Sequence, residues 1–172
     1  MIDREKQAPQ LPKLPTSAIE TEEGLEAKTQ TWFEYPVKAQ PHHTDYAGIV
    51  WHGTYLAWME EARVEYLRTI GVEFAELVAM GCDLPVVELS LRYHLPIRLG
   101  MSAIVKARLV ESKGVRINWD YEIQSYDRQE IFLTGKVVLV GVDQEKGKIM
   151  HQLPPQVKDA LIKHTTTRLE SD

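Results

Sequence analysis

Thr44-Asp45-Tyr46-Ala47-Gly48-Ile49-Val50-Trp51-His52-Gly53-Thr54-Tyr55 leads into a helical pattern that closes with Glu60-Glu61-Ala62-Arg63-Val64-Glu65-Tyr66-Leu67-Arg68. This stretch sets a carboxylate in a tight turn, follows it with an apolar run, and then begins an amphipathic helix. The first N–H groups of a helix lack intrahelical partners, and the helix dipole places positive charge there. A carboxylate beside that end can attack or deprotonate, while the free N–H groups receive the negative charge that develops on a carbonyl oxygen. The combination suits acyl transfer.

Working outward, residues 53–70 put Tyr55, Met59, Ala62, Tyr66 and Ile70 on one stripe at steps of three and four. Leu56 and Leu67 flank the stripe, and Glu61, Val64 and Arg68 lie opposite. Gly71 stands where a left-handed residue closes a helix, and Gly81 ends a shorter helix over 72–80 in the same way. Upstream, Phe33, Tyr35, Val37 and Ala39 alternate with Glu34, Lys38 and Gln40, which predicts a strand over 31–40 with one buried face. Pro36 restricts that strand to a sheet edge or a bulge.

After Pro85 the period changes from helical to alternating. Val87, Leu89, Leu91 and Tyr93 form the inward set of one strand, and Ala103, Val105, Ala107 and Leu109 that of the next. Val115, Ile117, Trp119, Tyr121 and Ile123 follow, then a strand over 131–142. Polar turns at Ser112-Lys113-Gly114 and Asp127-Arg128-Gln129 predict antiparallel hairpins. Leu153-Pro154-Pro155 before Val157, Ala160 and Leu161 predicts a short terminal helix with Pro in its first turn. One long helix and a four-strand antiparallel meander bury the apolar stripe by curving the sheet around the helix. The fold class is therefore α+β, a long central helix wrapped by a curved antiparallel sheet of about five strands. The open edges of such a sheet predict a homodimer or homotetramer.

At 172 residues and 44% apolar, the chain holds one domain. Residues 1–30, with Pro9, Pro12 and Pro15 before Glu20, Glu22, Glu23 and Glu26, read as a flexible tail. The domain then spans 31–165, and 166–172 form a C-terminal tail. A formal charge of −5 leaves no overall basic field for nucleic acid. The single Cys82 rules out an intramolecular disulfide and reads as a small buried hydrophobe. With no signal-like or membrane-spanning run, the expected location is cytoplasmic, with no membrane insertion.

The chain resembles the hotdog-fold acyl-CoA thioesterases of the 4-hydroxybenzoyl-CoA thioesterase type, and within them the Tol-Pal-associated enzymes. The residues that carry the resemblance are Thr44-Asp45, Ala47-Gly48-Ile49-Val50, His52, Tyr55-Leu56, Met59-Glu60, Ala62-Arg63 and Glu65-Tyr66-Leu67-Arg68. Tyr93 with Pro96 and Gly100, Lys113-Gly114, Gly147-Lys148 and Leu153-Pro154 add to it, so that it covers about residues 32–161. Met101 departs from the Asp that the family often has after this Gly. The resemblance implies hydrolysis of an acyl-CoA thioester to free acid and CoA without metal or other cofactor. It implies that Asp45 is the catalytic carboxylate, as nucleophile or as general base, and that the N–H of His52 holds the thioester oxygen. It also implies that Lys113 and Arg116, at a hairpin, lie near the CoA phosphates.

Each of these residues has a plainer reading. Asp45 also suits the capping of a turn. Gly48 permits that turn, and Gly53 permits close approach of a ligand to the backbone. Glu60 falls near the edge of the buried stripe, where a half-buried carboxylate assists acid–base chemistry or pairs with Arg63 or a partner subunit. Tyr55 and Trp51 are candidate substrate contacts; Trp51, Trp58 and Trp119 read otherwise as core or interface. The adjacent His42 and His43 point in different directions, so no metal site is expected of them with Asp45. Three other functions compete: hydrolysis of carrier-protein thioesters, a hydroxyacyl dehydratase, for which no His–carboxylate dyad is evident, and a non-catalytic acyl-CoA-binding protein.

Overall fold

The computed structural model describes residues 32–110 and 114–165. The expected tails at 1–30 and 166–172, and Lys113, lie outside them. In chain order the elements are β1 (Phe33–Lys38), a 3-10 turn (Pro41–His43), α1 (His52–Thr69), α2 (Phe74–Ala79), β2 (Cys82–Asp83) and β3 (Val86–Tyr93). Then come β4 (Ser102–Leu109), β5 (Arg116–Ser125), β6 (Ile131–Val140), β7 (Val142–Asp143), β8 (Lys148–Ile149) and α3 (Pro155–His164).

Five strands form one antiparallel sheet in the order β1-β4-β5-β6-β3. Pro36 sits in β1 at the sheet edge, opposite Ile104, as its missing N–H requires. The four later strands are not a simple meander. β4 pairs with β5 and β5 with β6 as expected, Ser112 and Lys113 of the first turn lying outside the described residues, but β3 pairs with β6 at the far edge. The chain crosses from β3 back to β4 through residues 94–101. That crossing finds its own backbone partners in the turn ahead of α1, through Val50 N–H to the Ile97 carbonyl (2.9 Å) and Leu99 N–H to the Gly48 carbonyl (2.9 Å). The last expected strand also ends early, at Val140; Gly141 separates it from β7, which joins β2 and β8 in a small second sheet.

The core lies between α1 and the inner face of the central strands. Val105 and Ala107 of β4, Trp119, Tyr121 and Ile123 of β5, and Leu133, Val137 and Leu139 of β6 are buried there. From α1 they meet Tyr55, Trp58, Met59, Ala62 and Leu67. The buried stripe differs from expectation in that Tyr66 and Ile70 are only half-buried, while Trp58 and Arg63 are buried. Tyr66 packs its ring against Phe33 (5.5 Å) and Trp119 (5.3 Å), a position that leaves its polar tip at the margin. Ile70 is the cap residue beyond the last turn.

The alternation in β3 does not mark a covered face. Val87, Leu89 and Tyr93 are 50%, 44% and 47% exposed, and only Leu91 is half-buried. Helix α1 packs mainly on β4 and β1; on β3 it reaches the Tyr93 ring through Tyr55, Leu91 packs against the core, and Leu89 and much of Tyr93 are left exposed.

Candidate active site

The turn ahead of α1 is built around Asp45. Its backbone N–H donates to the Ile49 carbonyl (2.8 Å) and its carbonyl accepts from Gly48 N–H (3.0 Å), with Gly48 at φ +72° closing the turn. The Asp45 side chain caps the same turn: Oδ1 accepts from Ala47 N–H at 2.8 Å and Ile49 N–H at 3.1 Å. Those bonds use one carboxylate oxygen and leave Oδ2 outside the turn on an exposed residue. The capping role is therefore real, and it holds the second oxygen in a fixed place.

The turn is pinned to the helix start. Trp51 N–H and the Thr54 hydroxyl both donate to the His43 carbonyl, at 2.9 and 3.1 Å. The ring of His43 meets Trp58 edge-on at 5.2 Å. Helix α1 begins at His52, so the N–H groups of His52 and Gly53 have no intrahelical acceptor. The carbonyl of His52 accepts the Tyr93 hydroxyl at 3.1 Å. The space that a Cβ would take on Gly53 is occupied by the Trp51 ring. Gly53 is thus needed for this aromatic packing, and the Trp51 ring is what lies over it.

Beside this helix start is a recess of about 270 Å³, lined by Ile49, His52, Tyr55, Tyr93, Leu95 and Pro96 among others. Tyr55 and Tyr93 meet edge-to-face at 5.4 Å. Tyr55 is buried, and its hydroxyl accepts Ile97 N–H at 3.2 Å. Burial pushes the Tyr55 phenol up, with the Ile97 N–H partly opposing, and burial pushes Tyr93 up as well.

The structure brings together the Asp45 turn, which contributes Ile49 and Val50 to the recess, with His52 and Tyr55. It does not bring in the other expected residues. Trp51 lies on Gly53 and is 54% exposed. Glu60 stands eight residues beyond His52, roughly 12 Å along the helix. Its side chain is 65% exposed instead of half-buried, 3.9 Å from the Arg63 guanidinium. Arg116 pairs with Glu88 at 3.4 Å, outside the recess. Tyr93, Leu95 and Pro96 were not expected at the site. Their signal was the Tyr93-His94-Leu95-Pro96 run that breaks the alternation at the end of β3.

Arg63 is 4% exposed and donates to the Tyr121 hydroxyl at 3.3 Å, while its Nε has no partner. Burial pushes the Tyr121 phenol up to about 12, with Arg63 opposing. Among the described residues no three His, Cys, Asp or Glu side chains are grouped to hold a metal, and no helix is long and apolar enough to cross a membrane.

Residues 39–161 match the family model of the thioesterase-like superfamily. The chain belongs to this superfamily. It is 54% identical over 157 residues to a candidate esterase of Synechocystis, covering 90% of this chain and 95% of that protein. It is 31% identical over 130 residues to the acyl-CoA thioesterase YbgC of Haemophilus influenzae, covering 74% and 93% of the two chains. Among solved structures, the DHNA-CoA thioesterase of Staphylococcus aureus superposes with a TM-score of 0.72 at 25% identity, over 77% of this chain and 89% of that one. The long helix on its curved five-stranded sheet is the hotdog fold of this family, and the chain is of the thioester-hydrolase kind.

Proposed function

We propose that this chain hydrolyses an acyl-CoA thioester to the free acid and CoA at the junction of the Asp45 turn and the start of α1. One observation carries the reading: Asp45 is locked by two N–H bonds to Oδ1 while Oδ2 is uncommitted, and it sits one short turn ahead of a helix N-terminus beside an aromatic recess. Two routes balance. In one, Oδ2 attacks the carbonyl carbon, the thiolate of CoA leaves, and water cleaves the resulting anhydride. In the other, Oδ2 takes a proton from water, the hydroxide adds to the carbonyl, and the thiolate leaves as the tetrahedral adduct collapses. In both, the developing oxyanion is received by the His52 N–H with the dipole of α1 behind it. Thiolate is an adequate leaving group without a metal.

The reading extends to the assembly. The free edge of β3, with Leu89 and Tyr93 exposed on its inner face, suits pairing with β3 of a second copy. Tyr93 lines the recess, so the pair would complete a wall of the site. Glu60 is exposed in the single chain, which suits contact with a second copy.

The test is thiol release by the purified chain from aromatic acyl-CoAs, short aliphatic acyl-CoAs and the matching carrier-protein thioesters. Hydrolysis strongest on one CoA class supports the reading and identifies its acyl group. Turnover confined to carrier-protein thioesters overturns the CoA assignment, and binding of acyl-CoA without turnover favours a non-catalytic binder.

A further inference from the structure

The outer face of the sheet, away from α1, carries a charge ladder that the hydrolase reading leaves unused. Strand register sets Arg108, Asp120, Lys136 and Ser90 side by side across β4, β5, β6 and β3. The next row on the same face runs Glu34, Lys106, Glu122, Thr134 and Arg92. The acids in these rows are spoken for: Asp120 accepts two bonds from Arg108 (3.1 and 2.8 Å), Glu122 pairs with Lys106 (3.1 Å), and Glu34 with Arg128 (2.8 Å). Arg92 and Lys136, at the β6–β3 end, have no anionic partner among the described residues. Between them lies a groove of about 270 Å³, with Trp32 on one wall and the hydroxyls of Ser90 and Thr134 on the other side.

Trp32 decides what reaches this groove. Its indole lies 4.4 Å from the Arg108 guanidinium and 4.8 Å from the Lys106 ammonium, so the first described residue is held on the outer face. The attachment point of the preceding residues is therefore a wall of the groove. Residues 20–26 of that chain carry Glu20, Glu22, Glu23 and Glu26. From Trp32 to Lys136 is three strand spacings, roughly 15 Å. The six Cα-to-Cα steps from Glu26 to Trp32 span up to roughly 20 Å when extended.

We propose that the acidic segment 20–26 of this chain binds across the outer-face groove, its glutamates pairing with Arg92 and Lys136. A tethered acid is presented at an effective concentration on the order of millimolar, ahead of any acidic segment from outside. This occupant is independent of the catalytic reading and leaves the recess beside α1 open.

The experiment is zero-length carbodiimide cross-linking of the full chain, with mapping of the peptides joined to Lys136, on a mixture of ¹⁴N- and ¹⁵N-labelled protein. The expected product joins Lys136 to Glu20, Glu22, Glu23 or Glu26 within one isotope, and its yield falls roughly fivefold or more in 1 M salt, where screening shortens to about 3 Å. Trypsin cleavage after Lys28 is expected to be several-fold faster in the Lys136→Glu variant, with thioester hydrolysis unchanged. Links from Lys136 to Asp120 alone, or cleavage rates equal in the two proteins, overturn the proposal. Links only between isotopes replace it with a groove filled by a second copy.

Discussion

Substituting Asp45 in two ways separates its two tasks. Asn keeps an Oδ1 that accepts from the Ala47 and Ile49 N–H groups, so the turn survives, but it has no carboxylate to attack or to take a proton. Ala removes both. Each of the two capping bonds contributes about 0.5–1.5 kcal/mol, and on an exposed turn water replaces part of the loss, so Asp45→Ala is expected to cost about 1–2 kcal/mol. Asp45→Asn should stay within about 0.5 kcal/mol of the parent, as a conservative surface change does. Activity should behave otherwise. Loss of a positioned base lowers turnover by roughly 10²–10⁴, and both variants should show that loss to a similar degree. Urea unfolding and thiol release measured on the same preparations give the comparison. An Asn variant that hydrolyses its best substrate within a few-fold of the parent would refute the catalytic assignment and leave Asp45 as a turn residue.

Gly48→Ala should destabilise by about 1–2 kcal/mol through its left-handed backbone alone, because the position is otherwise open; Gly48→Asn should be milder, and thermal melts rank the two. Tyr121→Phe removes the acceptor of a buried Arg63 N–H and should cost about 1–3 kcal/mol at neutral pH. Tyr121 in the folded chain keeps a proton up to about pH 12 that the unfolded chain gives up near 10, so the fold loses stability as pH rises through that window and none of it below. That loss is on the order of 3 kcal/mol. The Phe variant should show a flatter alkaline denaturation curve, with Tyr55 and Tyr66, also raised by burial, accounting for the residual slope. Leu89→Lys puts a charge on the exposed inner face of β3 and should shift sedimentation toward the monomer; an unchanged oligomer would place the interface elsewhere.

The elements themselves were legible because each has a local cause. The alternation of β4 and β5, the Pro at the start of α3 and the edge position of Pro36 follow from pleat and φ alone. The place of β3 was not legible. Alternation tells which side chains share a face and does not tell which strand is the neighbour, so Leu89 and Tyr93 read as core although both are over two-fifths exposed in one chain. Arg63 was hidden for a different reason: a charged residue on the helix reads as solvated, and its burial depends on Tyr121, 58 residues away. At the site, Asp45, Gly48 and His52 were visible because turn and helix start are consecutive in the chain. Tyr93 was missed as a site residue because its bond to the His52 carbonyl joins elements 41 residues apart.

Pro36 bears on how many copies can join. A sheet with two receptive borders can add strands without limit, and association by its borders then runs on into filaments. In this chain the β1 border lacks a donor where Pro36 stands, while the β3 border keeps its full backbone. The β3 border is therefore the more receptive of the two. In the pair proposed above, a Pro36-blunted border faces outward at each end, which disfavours further growth by strand addition.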